Sequence, residues 1–273
     1  MTQIHWTRAV NGAFNTAADW STGVVPGAGD YAILDAPGAT PYTVTVQTAT
    51  TVGDIQTAAN ALLDLRANFS VLNGAGSVVN AGAIQVENGA TLTLAGTVNN
   101  TGSIMVRGTV SPTTIQLGSS VTLTGGGPIF LNFEGAHQQI LPAASGTVLT
   151  NVADRISGRG LLGGPSLTII NEAGGFLEAK AGTLIIDTGA HTIVNAGLID
   201  AEGFPGDDGT VPPAQGEVKS PVNNSGIVEV DGIGATMTFD AAVTGTGRAV
   251  LAGGLLRFNS AFNQEADFEQ PQS

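Results

Sequence analysis

The chain has 273 residues, with 39 Gly, no Cys, 22 Asp+Glu against 9 Lys+Arg, and only 11% charged residues. Typical soluble proteins hold roughly 7% Gly and about 25% charge, so this chain is rich in glycine and thinly charged. A net charge of -13 excludes a sequence-independent grip on nucleic acid or anionic lipid, and the lack of cysteine excludes disulfide frameworks, zinc–thiolate centres, iron–sulfur clusters and thiol nucleophiles.

Residues 1–12 hold no basic cluster followed by an apolar run, the pattern of a Sec signal peptide. Nowhere does the chain approach 18 consecutive apolar residues, so no transmembrane helix is expected. Residues 1–40 carry both tryptophans, Trp6 and Trp20, and read as a capping lead-in. Helix signals are nearly absent thereafter; the best stretch, 56–66, is short and flanked by Gly and Thr-Val pairs. Short β-branched alternations broken by Gly, Asn and Asp read as strands and turns, as at 42–46, 90–94, 121–124, 166–170 and 235–239.

Those strands repeat. An apolar residue, Asn, one or more small residues, Gly and an apolar pair recur at 79–84, 98–104, 170–176, 194–199 and 222–227, with a degenerate copy at 243–250 where Thr244 replaces Asn. The repeated glycines are Gly82, Gly102, Gly175, Gly197, Gly226 and Gly247. Between copies sits a Thr-Leu-Thr-Leu type strand, at 90–94, 182–186 and 235–239. A period of about 20–22 residues with two or three short strands per period is the signature of a solenoid. The expected fold is all-β: a single-stranded parallel β-helix over 41–260, right-handed by the general habit of parallel crossovers. Inward positions (Leu92, Leu94, Ile104, Val106, Leu184, Ile186) are aliphatic, and stacked Asn side chains are expected to hydrogen-bond from coil to coil. Asn and Gly suit the corners through their tolerance of positive φ. About ten coils at a ~4.8 Å rise would make a rod of roughly 50 Å. Residues 201–217, with three prolines and no alternation, read as an inserted loop; Pro128 to Ala144 reads as irregular, and 261–273 as a frayed polar tail.

The lead-in resembles a module of large bacterial surface and secreted proteins. There, a stretch matched here by Asn15, Thr16, Ala17, Trp20, Gly23, Pro26, Gly29 and Asp30 precedes Gly/Thr/Asn-rich β-solenoid repeats. The later Val-Asn-x-Gly-x-Ile and Ala-Thr-Leu-Thr-Leu copies are similar to the repeats of the same autotransporter-passenger-like or adhesin-like proteins. The resemblance implies an extracellular or bacterial cell-surface location, reached by a non-Sec route or as part of a longer chain. It implies a structural or adhesive module that binds surface polysaccharide or self-associates as a homo-oligomer, without nucleic acid and without a cofactor.

The alternative is a polysaccharide-degrading β-helix enzyme, a glycoside hydrolase or lyase. Hydrolysis needs two carboxylates about 5–9 Å apart, one raised in pKa by an apolar setting. Adjacent coils can supply them, and Asp200 or Glu202 with Glu229 or Asp231 make the best pair. A lyase would want a base such as Lys219 or an arginine beside a metal-bound uronate. Against catalysis stand the scarcity of aromatic and basic residues, which stack on and grip sugars, and three histidines (His5, His137, His191) in unrelated contexts. Calcium is the subordinate cofactor reading: Asp207 and Asp208 in the inserted loop, with Asp200, Glu202 and Glu217 nearby, form the densest acidic cluster, but the ligand set falls short of six to eight oxygens. The string Gly158-Arg-Gly-Leu-Leu-Gly163 matches a dinucleotide fingerprint only as letters, since a strand rather than a helix follows it. Thr-x-Thr pairs at 43/45, 91/93, 122/124 and 236/238 follow from strand propensity rather than from an ice-ordering array.

Overall fold

A computed structural model describes residues 1–72, 77–132, 135, 137–203 and 211–268. Parallel strands stack into a β-solenoid of about nine turns, one fewer than the spacing suggests. The only helical segment among the described residues is the 3-10 turn Ala17–Asp19.

Each turn gives one short strand to each of three faces. The first face begins with Tyr42–Val46, Ala61–Leu65, Ala83–Val86 and Ser103–Val106. The second begins with Thr50–Val52 and Phe69–Val71 and continues through 91–94 and 113–117. The third runs from Asp54–Thr57 and Ser77–Asn80 into 97–100 and 121–124. Core register on the first face passes from Val44 through Leu63, Ile84, Ile104, Ile129, Ile156, Leu177, Ile199 and Val228 to Ala249. All ten side chains are buried. Coil length varies from 19 residues (Val44 to Leu63) to 29 (Ile199 to Val228), because corners can bulge while strand registers stay aligned.

Four segments differ from the sequence reading. The ladder starts in the lead-in: Thr2–His5 pairs with Asp30–Leu34, which pairs with Asp54–Thr57. Long excursions between those strands hide the period. The inserted loop is shorter than 201–217, since Leu198–Glu202 and Gln215–Val218 are strands. Pro128–Leu131 and Gln138–Pro142 are ladder strands as well; their prolines sit at the strand ends, where a missing N–H is tolerated. At the other end Glu265–Phe268 still pairs with the strand Arg248–Ala252.

The lead-in also covers the first turn's core. Trp6, Phe14 and Trp20 are buried and meet edge to face, Trp6–Trp20 at 5.1 Å and Phe14–Trp20 at 4.9 Å between centroids. The Trp20 Nε1–H donates to the Phe14 carbonyl at 2.7 Å, so the polar edge of the indole is satisfied in the apolar cap.

The corner between the third and first faces holds the stack in register. Asn80 donates to Asn100 at 2.7 Å, Asn151 to Asn171 at 3.0 Å, Asn171 to Asn195 at 2.8 Å and Asn195 to Asn224 at 2.6 Å. All of these side chains are fully buried. The neighbouring glycines are required for a reason other than the one expected from sequence. None of Gly82, Gly102, Gly197, Gly226 and Gly247 has a positive φ. They stack instead: a Cβ on Gly102 would lie 2.0 Å from the Gly82 carbonyl oxygen, and one on Gly226 would lie 2.2 Å from that of Gly197.

Replacing Asn171 by Ala strands the Asn195 Oδ1 acceptor in the core and leaves the Asn151 amide with only backbone carbonyls to donate to, an expected loss of about 1–3 kcal/mol. Gly197→Ala, which must push two coils apart, is expected to cost about 1–3 kcal/mol. Urea denaturation of the two variants measures both losses.

Candidate functional site

The richest concentration of charge in the described residues lies on the outer side of the first face, over three consecutive turns. Leu177 and Ala179, Ile199 and Ala201, and Val228 and Val230 point into the core. Strand alternation therefore places the residues between and beyond them outward. Register stacks Ser157, Glu178, Asp200, Glu229 and Val250 in one row. Glu202 and Asp231 stack two residues further along, and Lys180 stands beside Glu202. Rungs ~4.8 Å apart thus set five carboxylates within reach of one another.

Two cations are built into the cluster. Arg155 donates through Nε to Glu178 Oε2 at 2.8 Å and through Nη2 both to Glu178 Oε1 and, at 3.0 Å, to Glu202 Oε2. Its guanidinium carbon lies 5.8 Å from the Phe176 ring centroid, which braces the side chain across the face. Lys180 Nζ reaches Glu202 Oε2 at 2.6 Å and stands 3.8 Å from Glu178 Oε1. Beneath these side chains Glu178 is 2% exposed and Asp200 6%. The Asp200 Oδ1 atom is buried and accepts no hydrogen bond from any described residue.

This environment drives the carboxyls apart in acidity. Burial, then the charges of Glu229, Glu178, Glu202 and Asp231, push Asp200 up to about 8. Glu202 is drawn down to about 2, first by its hydrogen bond with the Glu178 carboxyl and then by Lys180. Burial pushes Glu178 up, and its hydrogen bond with Arg155 opposes the rise. The cluster therefore combines a neutral acid, ionised carboxylates and two fixed cations within three turns.

The structure brings Asp200, Glu202, Glu229 and Asp231 together, as the coil argument expects. It does not bring Glu217, which lies on the second face opposite Ile185 and Thr238, beside Lys219 Nζ at 3.8 Å. Asp207 and Asp208 lie outside the described residues. Sequence reasoning missed Glu178, Lys180 and Arg155. A signal was present for the first two: Glu178, Asp200 and Glu229 each follow a repeat glycine (Gly175, Gly197, Gly226) by the same three positions, and Lys180, Glu202 and Asp231 by five. Alignment on the glycines would have shown them.

The other candidates separate. Gly158 to Gly163 lies within the strand Arg155–Gly163, at the bend between the first and second faces. The Thr-x-Thr pairs fall on three different faces. His5 pairs with Asp35 at 3.0 Å near the N-terminal end, while His137 and His191 are exposed at turns. Among the described residues no helix is long and apolar enough to cross a membrane.

Fold and site together define a parallel β-solenoid with an ion-paired acidic cluster set into one wall. Comparison with known proteins finds no match to this chain among family models, curated proteins or solved structures.

Asp200 is an acid whose folded-state pKa is raised, so its contribution to stability is complete at pH values below its unfolded pKa of about 4. That contribution is lost as pH rises through about 8. The melting temperature is expected to fall between pH 5 and pH 8.5. Asp200→Asn, isosteric and neutral, should flatten that slope and raise the melting temperature at pH 8.5 by roughly 5 °C, read by circular dichroism across the pH series.

Proposed function

We propose that this protein is a structural or adhesive β-solenoid module acting outside the cell, with surface polysaccharide or a second copy of itself as its partner, and that it does not catalyse a reaction. The observation that carries the reading is the burial of its best chemical groups. Glu178 and Asp200 lie under Arg155 and Lys180 in the plane of the wall, whereas a glycosidic bond must lie directly between two accessible carboxyls. Long flat faces of short strands with Thr, Asn and Gln outward suit extended contact with a polymer better than enclosure of one bond. The thin surface charge is consistent with contacts made by hydrogen bonding rather than by ionic grip.

A second reading, a polysaccharide hydrolase or lyase, has one observation in its favour. Paired carboxyls whose environments push their pKa values apart are the arrangement from which acid and nucleophile or base are assigned, and Asp200 near 8 beside Glu202 near 2 is such a pair.

Product analysis separates the two. The purified chain is expected to be retained by immobilised cell-surface polysaccharides, or to sediment as an oligomer, and to release no oligosaccharide from hexose- or uronate-containing polymers over a day. Turnover abolished by Asp200→Asn or Glu229→Gln would establish the enzyme instead.

A further inference from the structure

The acidic cluster of the first face holds five carboxylates, Glu178, Asp200, Glu202, Glu229 and Asp231, stacked over three rungs, against the two cations Arg155 and Lys180. Among the described residues its acids outnumber its cations. Both cations gather on Glu178 and Glu202, and Asp200 is left with Oδ1 buried and without a donor among the described residues. A carboxyl oxygen buried without a donor, at 6% residue exposure, is a position that an ordered ion can satisfy, the ion taking the place of the proton that Asp200 otherwise holds. One carboxylate oxygen from each of Glu178, Asp200 and Glu202 lies within 4.8 Å of the other two.

We propose that Asp200, Glu202 and Glu178 form a calcium site that clamps consecutive turns of the solenoid together. All the donors are hard oxygens, which selects against zinc and copper and for a group-two cation. Calcium–oxygen bonds of about 2.3–2.6 Å bridge oxygens up to roughly 5 Å apart without moving the strands, whereas magnesium at about 2.0–2.1 Å spans at most about 4.2 Å. The three carboxylates come from two adjacent rungs, Glu178 on one and Asp200 and Glu202 on the next, so the backbone hydrogen bonds of the sheet preset their spacing. Glu202 and the neighbouring Asp231 stand at the more open edge of the cluster, from which the ion enters and where water completes its shell. Lys180 and Arg155 hold Glu178 and Glu202 in the absence of the ion, and the ion competes with Lys180 for Glu202. That competition places the affinity in the range of about 10⁻⁴ to 10⁻³ M found for extracellular calcium modules. The site is distinct from the Asp207–Asp208 run of the inserted loop.

The test is a calcium titration of the EDTA-treated, dialysed full chain at pH 7.5 in 150 mM NaCl, followed by calorimetry and by melting. One equivalent of calcium is expected to bind and to raise the melting temperature by roughly 4 °C or more at 10 mM. Magnesium should give a smaller shift, and NaCl of matched ionic strength none. Asp200→Asn and Glu202→Gln should each remove the calcium shift, whatever their own melting temperatures, and the paired change of Asp207 and Asp208 to Asn should retain it. The absence of heat and shift, an equal shift with matched NaCl, or a shift that survives in both Asp200→Asn and Glu202→Gln would overturn the assignment. Loss of the shift only in the Asp207/Asp208 variant would move the ion to the loop.

Discussion

The solenoid depends on the corner between its third and first faces. There each turn must come down on the last at the same spacing, because an error of one residue would turn every apolar side chain of the next strand outward. Buried asparagine amides set that spacing by donating along the stack, and glycines allow the approach by presenting no Cβ to the carbonyl beneath. Neither device works alone. The amide ladder needs the close corner, and the close corner would be a buried polar seam without the ladder.

One turn shows how strictly the corner must be satisfied. Around Gly125-Gly126-Gly127 no amide is available. Asp154, from the following turn and at the position a corner glycine otherwise takes, fills the gap. Its carboxylate accepts from Asn100 Nδ2 at 3.2 Å and from the Gly126 N–H at 2.9 Å, while its own N–H donates to Asn151 Oδ1. The cost is a fully buried acid whose pKa is pushed up to about 6 by desolvation. The chain accepts that electrostatic cost in order to keep the seam hydrogen-bonded.

The same stacking that keeps the corner builds the acidic cluster. Residues at one offset from successive glycines lie directly over one another, so a repeated acid becomes a column of acids. Arg155 reaches diagonally across two rungs and Lys180 stands beside Glu202, and together they cover what the column buries. A surface row of charges is thereby turned into a partly desolvated network, in which acidity differs widely between neighbouring carboxyls.

Much of this was legible in the sequence. The glycine period, the Asn before it and the aliphatic alternation are local patterns, and they specify an all-β parallel coil with Leu92, Ile104 and Leu184 inside. The pairing of Asp200 and Glu202 with Glu229 and Asp231 follows from the same period. Less legible were the turns at Thr2–His5 and Gln138–Pro142, where long excursions or prolines interrupt the alternation. The role of the corner glycines was also hidden, since it is set by a neighbour about 20 residues away rather than by φ.

The amino-acid sequence by itself determined the repeat, the inward and outward sides of each strand, the absence of thiols and the scarcity of basic residues, all of which are properties of short windows and composition. Only the tertiary structure decided that Arg155, Glu178 and Lys180 join the acids, that Glu217 belongs to another face, and that Asp200 is shut away from water. Those outcomes depend on which insertions the corners absorb and which side chains close over the wall. A carboxylate's acidity and its usefulness to a ligand are set by that enclosure.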